Sequence, residues 1–232
     1  MTGAYDEIVS LGYDCRLAFN LRRTFGNPRA FPLDWWVTPL PALAAFLQEP
    51  SVPALYDPAQ LMPVTFEGKV YAIRSARYDI ELHHEFPRDK QGLVTADWRD
   101  HVARAQERTQ FLVDRMLTIP AGARILFARS TKGIERRALG DRFPGLMAQV
   151  RQSLDSLFPG RAVELLLIDP PSVIEAEGVT SLWVRDREKS DWRGTPDLWS
   201  KRLLGAGIGW SGRRSGESVE PSPEADHSLP KP

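Results

Sequence analysis

One cysteine, Cys15, is all the thiol that the 232 residues contain. A single thiol excludes an intramolecular disulfide and a cysteine-rich zinc site, and a lone free thiol fits a reducing compartment, so a cytoplasmic setting is expected. Neither sign of charge is in excess: lysine plus arginine and aspartate plus glutamate number 30 each. No global field therefore draws the chain to nucleic acid or to an anionic membrane, and neither is expected as a partner. Apolar runs are all far shorter than the roughly 20 residues a membrane helix needs. The opening MTGAYDEIVSLG has neither the basic start nor the apolar core of a secretory signal. Glycine is sparse where a phosphate loop would need it. SLGYDC, residues 10–15, offers one glycine where the dinucleotide fingerprint requires three. No cofactor and no metal site is expected.

What is present is the composition of a globular protein, 42% hydrophobic and 26% charged, in a chain long enough for one sizeable core. Residues 7–12 read as a short strand, and Asp14 as the N-cap of a helix from Cys15 to about Phe25 that Asn27-Pro28 ends. Residues 31–86 are rich in proline and carry hairpin signals around Glu67-Gly68-Lys69, which marks them as an insertion or lid. From Thr95 onward a long helix to Leu117, a strand at Arg124–Ala128, a helix over Phe143–Phe158, a strand at Ala162–Ile168 and another at Thr180–Val184 alternate. That alternation predicts an α/β fold, a mostly parallel sheet with helices on both faces, and the unbroken LLLI suits a strand buried on both sides. One domain is expected over residues 1–205, and a disordered tail over 206–232, where large apolar residues almost vanish.

In open parallel sheets functional groups gather outside the carboxyl ends of the strands. That rule gathers Gly12 to Cys15, Arg129 to Lys132, Asp169, and Arg185-Asp186 onto one rim. Cys15 in the first turn of a helix is placed for thiolate stabilisation, although a small buried residue is the commoner fate of a free cysteine. A nucleophile needs a base, and His83 and His84 are the candidates, with His101 third. Asp34 would orient an imidazole or cap a turn, and Glu85 follows His84 directly. His101, Arg104, Arg108 and Arg115 form one stripe of the long helix, a solvated flank or, joined by Arg129, a fork for phosphate or carboxylate.

SLGYDC with Ala18 and Leu21, then PLDW at residues 32–35, then His84-Glu85-Phe86, resembles a bacterial family of unknown function described as papain-like cysteine peptidases. The likeness rests on Ser10, Leu11, Gly12, Cys15, Pro32, Asp34, Trp35, His84, Phe86, Arg104, Arg108 and Arg129, and spans most of residues 5–204. Leu33 and Glu85 depart from the family's phenylalanine and aspartate. The resemblance implies a thiol-dependent hydrolase or acyl transferase acting on a peptide or small molecule. Cys15 would be the nucleophile, His84 the base, Asp34 or Glu85 the orienting acid, and backbone amides at the helix start the oxyanion hole. It also implies an α+β papain-like fold as the alternative to the parallel sheet. The other functional reading is a non-catalytic module that binds an anionic ligand, a phosphate or sugar nucleotide, on a rim formed by Gly12, Arg104, Arg108 and Arg129.

Overall fold

The computed structural model describes residues 3–27, 29–188 and 191–212. In chain order these form β1 (Gly3–Tyr5), β2 (Glu7–Ser10), α1 (Cys15–Phe25), β3 (Trp36–Val37), α2 (Leu40–Gln48), α3 (Val52–Leu55), β4 (Leu61–Phe66), β5 (Lys69–Ser75) and β6 (Ile80–Leu82). There follow α4 (Val102–Leu117), β7 (Arg124–Ser130), α5 (Gly133–Leu139), α6 (Arg142–Leu157), β8 (Ala162–Ile168), β9 (Val179–Leu182), α7 (Pro196–Gly205) and β10 (Ile208–Trp210). The chain is of mixed α/β class.

Strands β2, β7, β8 and β9 lie side by side in that order, every pair parallel. Alternate residues of β7 and β8 enter opposite cores, as the period of two requires. Ile125, Phe127, Leu165 and Leu167 face a core shared with Leu43 of α2, Val113 of α4 and Val150 of α6. Leu126, Ala128, Leu166 and Ile168 face Leu17 and Leu21 of α1 and Trp199 and Leu203 of α7. A strand buried on both faces has no polar side to show, which explains the unbroken apolar run in β8.

The second sheet is antiparallel, in the order β3-β6-β5-β4. Its β4–β5 hairpin turns at Glu67 and Gly68, both with positive φ (50° and 74°), the backbone a tight two-residue turn demands. Pro63 lies in β4, the edge strand, where its missing donor costs no ladder bond. Trp36, Leu40, Phe46 and Leu82 of the 31–86 segment pack into the same core as Phe127, so that segment is built into the body of the fold.

Several boundaries differ from the sequence expectation, two of them with a clear physical cause. The long helix begins at a 3-10 turn, Trp98–His101, because the Thr95 hydroxyl bonds Asp97 and the Pro87 carbonyl instead of capping. Ordered chain also continues past Gly205: β10 pairs in parallel with β1, the Trp210 indole donates to the Asp6 carbonyl at 3.1 Å and the Ser211 hydroxyl to Asp6 Oδ1 at 3.1 Å. The expected tail therefore cannot begin at residue 206, and residues 213–232, with His227, lie outside the described residues. Among the described residues no helix is long and apolar enough to cross a membrane.

Candidate functional site

The four parallel strands end on one side, and hydrogen bonds stitch their ends together. The Leu11 amide donates to the Ala128 carbonyl at 2.7 Å and the Ser130 amide to the Gly12 carbonyl at 3.0 Å, which extends the β2–β7 ladder past β2. The Ser130 hydroxyl accepts from the Tyr13 amide at 3.3 Å. The Thr131 amide reaches the Ile168 carbonyl at 3.1 Å, and Asp169 accepts twice from the Arg185 amide, at 3.0 and 3.1 Å. Gly12 has φ 79°, and a β-carbon there would come within 3.3 Å of the Arg129 guanidinium. Its part is to let the chain turn over that guanidinium.

Cys15 is the first residue of α1. Asp14 caps the helix from extended backbone (φ −144°), its carboxylate accepting from the Arg16 amide at 3.1 Å, and Gly26 closes the other end in the left-handed region. The thiol is half-buried. Burial, and then the Asp14 charge beside it, push its pKa up to about 11, against the opposing pull of Lys132. Lys132 forms an ion pair with Asp14 and lies 5.5 Å from the centre of the Tyr13 ring. Arg16 adds a smaller lowering pull on the thiol. It donates to the carbonyls of Trp192, Asp191 and Glu188 at 2.8, 3.2 and 3.3 Å and ties that loop to α1.

His84 sits edge-on to Trp35, ring centres 5.5 Å apart, and the Arg22 guanidinium covers the same indole at 5.4 Å. Arg22 lies two helical turns along α1 from Cys15, on the same stripe, so the fold closes the gap of about 70 residues to the neighbourhood of α1. The two candidate orienting acids have structural partners. Asp34, fully buried, accepts from Arg22 and from the Phe31 amide, 2.7 Å, and so closes the turn at Pro32–Trp35. Glu85 Oε1 accepts from the Trp36 indole at 3.1 Å, Oε2 is buried without a hydrogen-bond partner among the described residues, and burial raises its pKa. His83 Nε2 is 3.3 Å from Glu81 Oε2, and His101 Nε2 is 3.5 Å from Asp97 Oδ2.

The expected arginine rim needs a correction. Arg129 is 1% exposed and wholly engaged. It donates to the carbonyls of Leu11 (3.0 Å) and Thr38 (2.7 Å) and to Glu135 Oε1 (2.6 Å), which also accepts from the Leu40 amide at 2.6 Å. It is a strut beneath the rim, with no donors turned outward to a ligand. Arg104 and Arg108 are exposed on α4, where the Arg108 charge acts on buried Glu85. The cations beside the strand ends are instead Lys132 and, one helical turn on, Arg136 and Arg137, all exposed. Sequence reading passed over the last two because α5 is only seven residues long and lacks a side-chain cap.

A cavity of about 510 Å³ opens elsewhere, between α6 and the β8–β9 edge, lined by Met147, Arg151, Leu165, Ile174 and Val179 among others, and none of the expected site residues lines it. Among the described residues no cluster of three or more histidine, cysteine, aspartate or glutamate side chains is arranged to hold a metal ion.

Comparison with protein-family models, with curated proteins and with solved structures finds no match to this chain.

Proposed function

We propose that the rim at the carboxyl ends of the parallel strands binds an anionic small molecule and that Cys15 forms part of its wall. The observation that carries this reading is the contrast between two neighbours. With its pKa pushed up to about 11, the thiol is protonated at neutral pH, about one part in ten thousand being thiolate at pH 7. Lys132 is an exposed cation beside it. The half-exposed Tyr13 ring offers an aromatic surface alongside, held there by the Ser130 hydroxyl, which accepts from the Tyr13 amide and donates to the Gly12 carbonyl. A lone free thiol is in keeping with a cytoplasmic setting.

The likeness to the papain-like family supports a second reading, a thiol-dependent hydrolase or acyl transferase. The hydrogen bond between His83 and Glu81 favours it, because a base held by a carboxylate is what such chemistry needs. Glu81 also bears on the loop before Cys15, since its charge, after burial and the charges of Glu135 and Asp14, helps raise the Tyr13 pKa. In this reading His83 joins His84 as a candidate base.

The pH profile of Cys15 alkylation by iodoacetamide separates the two. The binding reading expects a slow reaction at pH 7 that rises steeply only above pH 9 and is unchanged in His83→Ala and His84→Ala. A rate that holds well below pH 8 and falls in either histidine variant would overturn it in favour of the enzyme.

A further inference from the structure

Arg136 and Arg137 lie three and four residues beyond Gly133, the spacing that sets side chains over the same turn of a helix. Helical side chains lean toward the N-terminus, and these two fold back fully. Arg136 Nη2 and Arg137 Nη1 stand 3.7 and 3.8 Å from the point where a β-carbon on Gly133 would sit. One tetrahedral oxyanion spans two donors so placed, with a charge-assisted hydrogen bond of about 2.8 Å on each side.

Two guanidiniums repel each other, and among the described residues no carboxylate is paired with either. Neither has an ion-pair or hydrogen-bond partner among the described residues. Lys132 is already matched by Asp14. Glu135, between them in sequence, is buried and taken up by Arg129 and the Leu40 amide. Two uncompensated positive charges are left at one exposed spot. Gly133 does not have the positive φ that would require glycine, and glycine weakens a helix relative to alanine. What its missing side chain provides is space between the two forks.

We propose that Arg136 and Arg137, over the floor left by Gly133, grip the phosphate of a phosphomonoester dianion, the chemistry that answers two positive charges with two negative ones. This rests on the anionic-ligand reading of the rim and adds the ligand's class and the residues that hold it. A carboxylate, with one charge and two coplanar oxygens, would leave the pair half neutralised.

The test is calorimetric titration of the full chain with inorganic phosphate, phenyl phosphate and benzoate at constant ionic strength. Four variants accompany the natural protein: Arg136→Ala/Arg137→Ala, Gly133→Glu, Lys132→Ala and Cys15→Ser. Both phosphates should bind, benzoate should not, and affinity for phenyl phosphate should rise between pH 5 and pH 7 as the second proton of the monoester, pKa about 6, is lost. The double arginine variant should bind about 100-fold more weakly, tenfold for each charge-assisted contact. Gly133→Glu sets a carboxylate between the two guanidiniums without disturbing the core, and should abolish binding while raising the melting temperature. Tighter binding of phenyl phosphate identifies an ester whose body lies on the rim, and equal affinities identify free phosphate. The proposal is overturned if neither phosphate binds the natural protein saturably, or if the arginine and Gly133→Glu variants bind as the natural protein does. Loss of binding in Lys132→Ala with the arginine variant unaffected would keep the rim reading and sink the arginine grip. Loss in the arginine variant, with Lys132→Ala unaffected and bound phosphate leaving Cys15 alkylation unchanged, would keep the grip and sink the rim reading.

Discussion

Arg129 and Glu135 form a buried ion pair, 2.6 Å apart and 1% and 5% exposed at their side chains, that joins four segments of the chain. Through it the end of β2 (the Leu11 carbonyl), the Thr38 carbonyl, the start of α2 (the Leu40 amide) and α5 are bound to the end of β7. The antiparallel half of the fold is thereby fixed against the carboxyl ends of the parallel strands, and the rim inherits its shape from this contact.

Removing one partner of such a pair strands the other charge in the interior, a loss of about 3–5 kcal/mol. Arg129→Met is expected to cost that much in urea unfolding. Glu135→Gln should cost less, because its oxygen still accepts from the Leu40 amide. An Arg129→Met loss below about 1 kcal/mol would show that the strut does not hold the rim, since a value that small is typical of surface pairs.

Cys15 is poised between two opposite charges, and each can be removed separately. Asp14 raises the thiol pKa and Lys132 lowers it. Asp14→Asn keeps a capping oxygen on α1 and should speed alkylation at pH 8 several-fold, whereas Lys132→Ala should slow it. At pH 8 the natural thiol should react about two orders of magnitude more slowly than an unperturbed one of pKa about 8.5. The folded pKa lies above the unfolded value, so the unfolded chain gives up its proton first. Stability from this group is therefore complete below about pH 8.5 and declines as pH rises toward the folded value. Unfolding midpoints between pH 8 and pH 10.5 should fall more in the natural protein than in Cys15→Ala, and equal falls would count against the raised pKa.

The parallel sheet was legible because strands buried on two faces leave an unmistakable apolar run, and the rim followed from the rule for strand ends. Ser130, Lys132 and Asp169 stand where that rule puts them. Arg129 was misjudged for a physical reason: an arginine ending an apolar strand reads the same whether its fork meets a ligand or a buried glutamate six residues later. The strand Ile208–Trp210 was hidden because IGW is short and stands among glycines, and its partner strand near the N-terminus is equally short. The family resemblance implies a triad of Cys15, His84 and either Asp34 or Glu85. Asp34 closes a turn, the second of its two expected roles, with Arg22 as partner, and Glu85 holds an indole, which spacing does not reveal.

Asp34 offers a direct check on that structural role. Burial raises its pKa while Arg22 and the Phe31 amide pull against the rise. Asp34→Ala would leave the Phe31 amide without its acceptor and Arg22 without its partner, and should cost about 2–4 kcal/mol. Asp34→Asn keeps the acceptor for the amide and should cost less. Were Asp34 a catalytic orienter instead, both variants would unfold at nearly the natural urea midpoint while changing Cys15 reactivity.

Glu81 and His83 decide how much of the enzyme reading survives. The hydrogen bond from His83, with Arg74 on the other side of the carboxylate, lowers the Glu81 pKa against the effect of partial burial. A lowered carboxyl pKa contributes stability above its unfolded value of about 4.3 and loses it as pH falls through the folded value. The pair is partly exposed, 35% and 23% at the side chains, so screening keeps that contribution small, about 1 kcal/mol or less. Glu81→Gln should therefore flatten acid unfolding slightly below pH 4 and leave Cys15 alkylation at neutral pH unchanged if the thiol is a wall. If the thiol is a nucleophile with His83 as its base, Glu81→Gln and His83→Ala should slow alkylation together, and the double variant should be no slower than His83→Ala alone. That non-additivity is the signature of residues acting as one unit, and a merely structural hydrogen bond would not produce it.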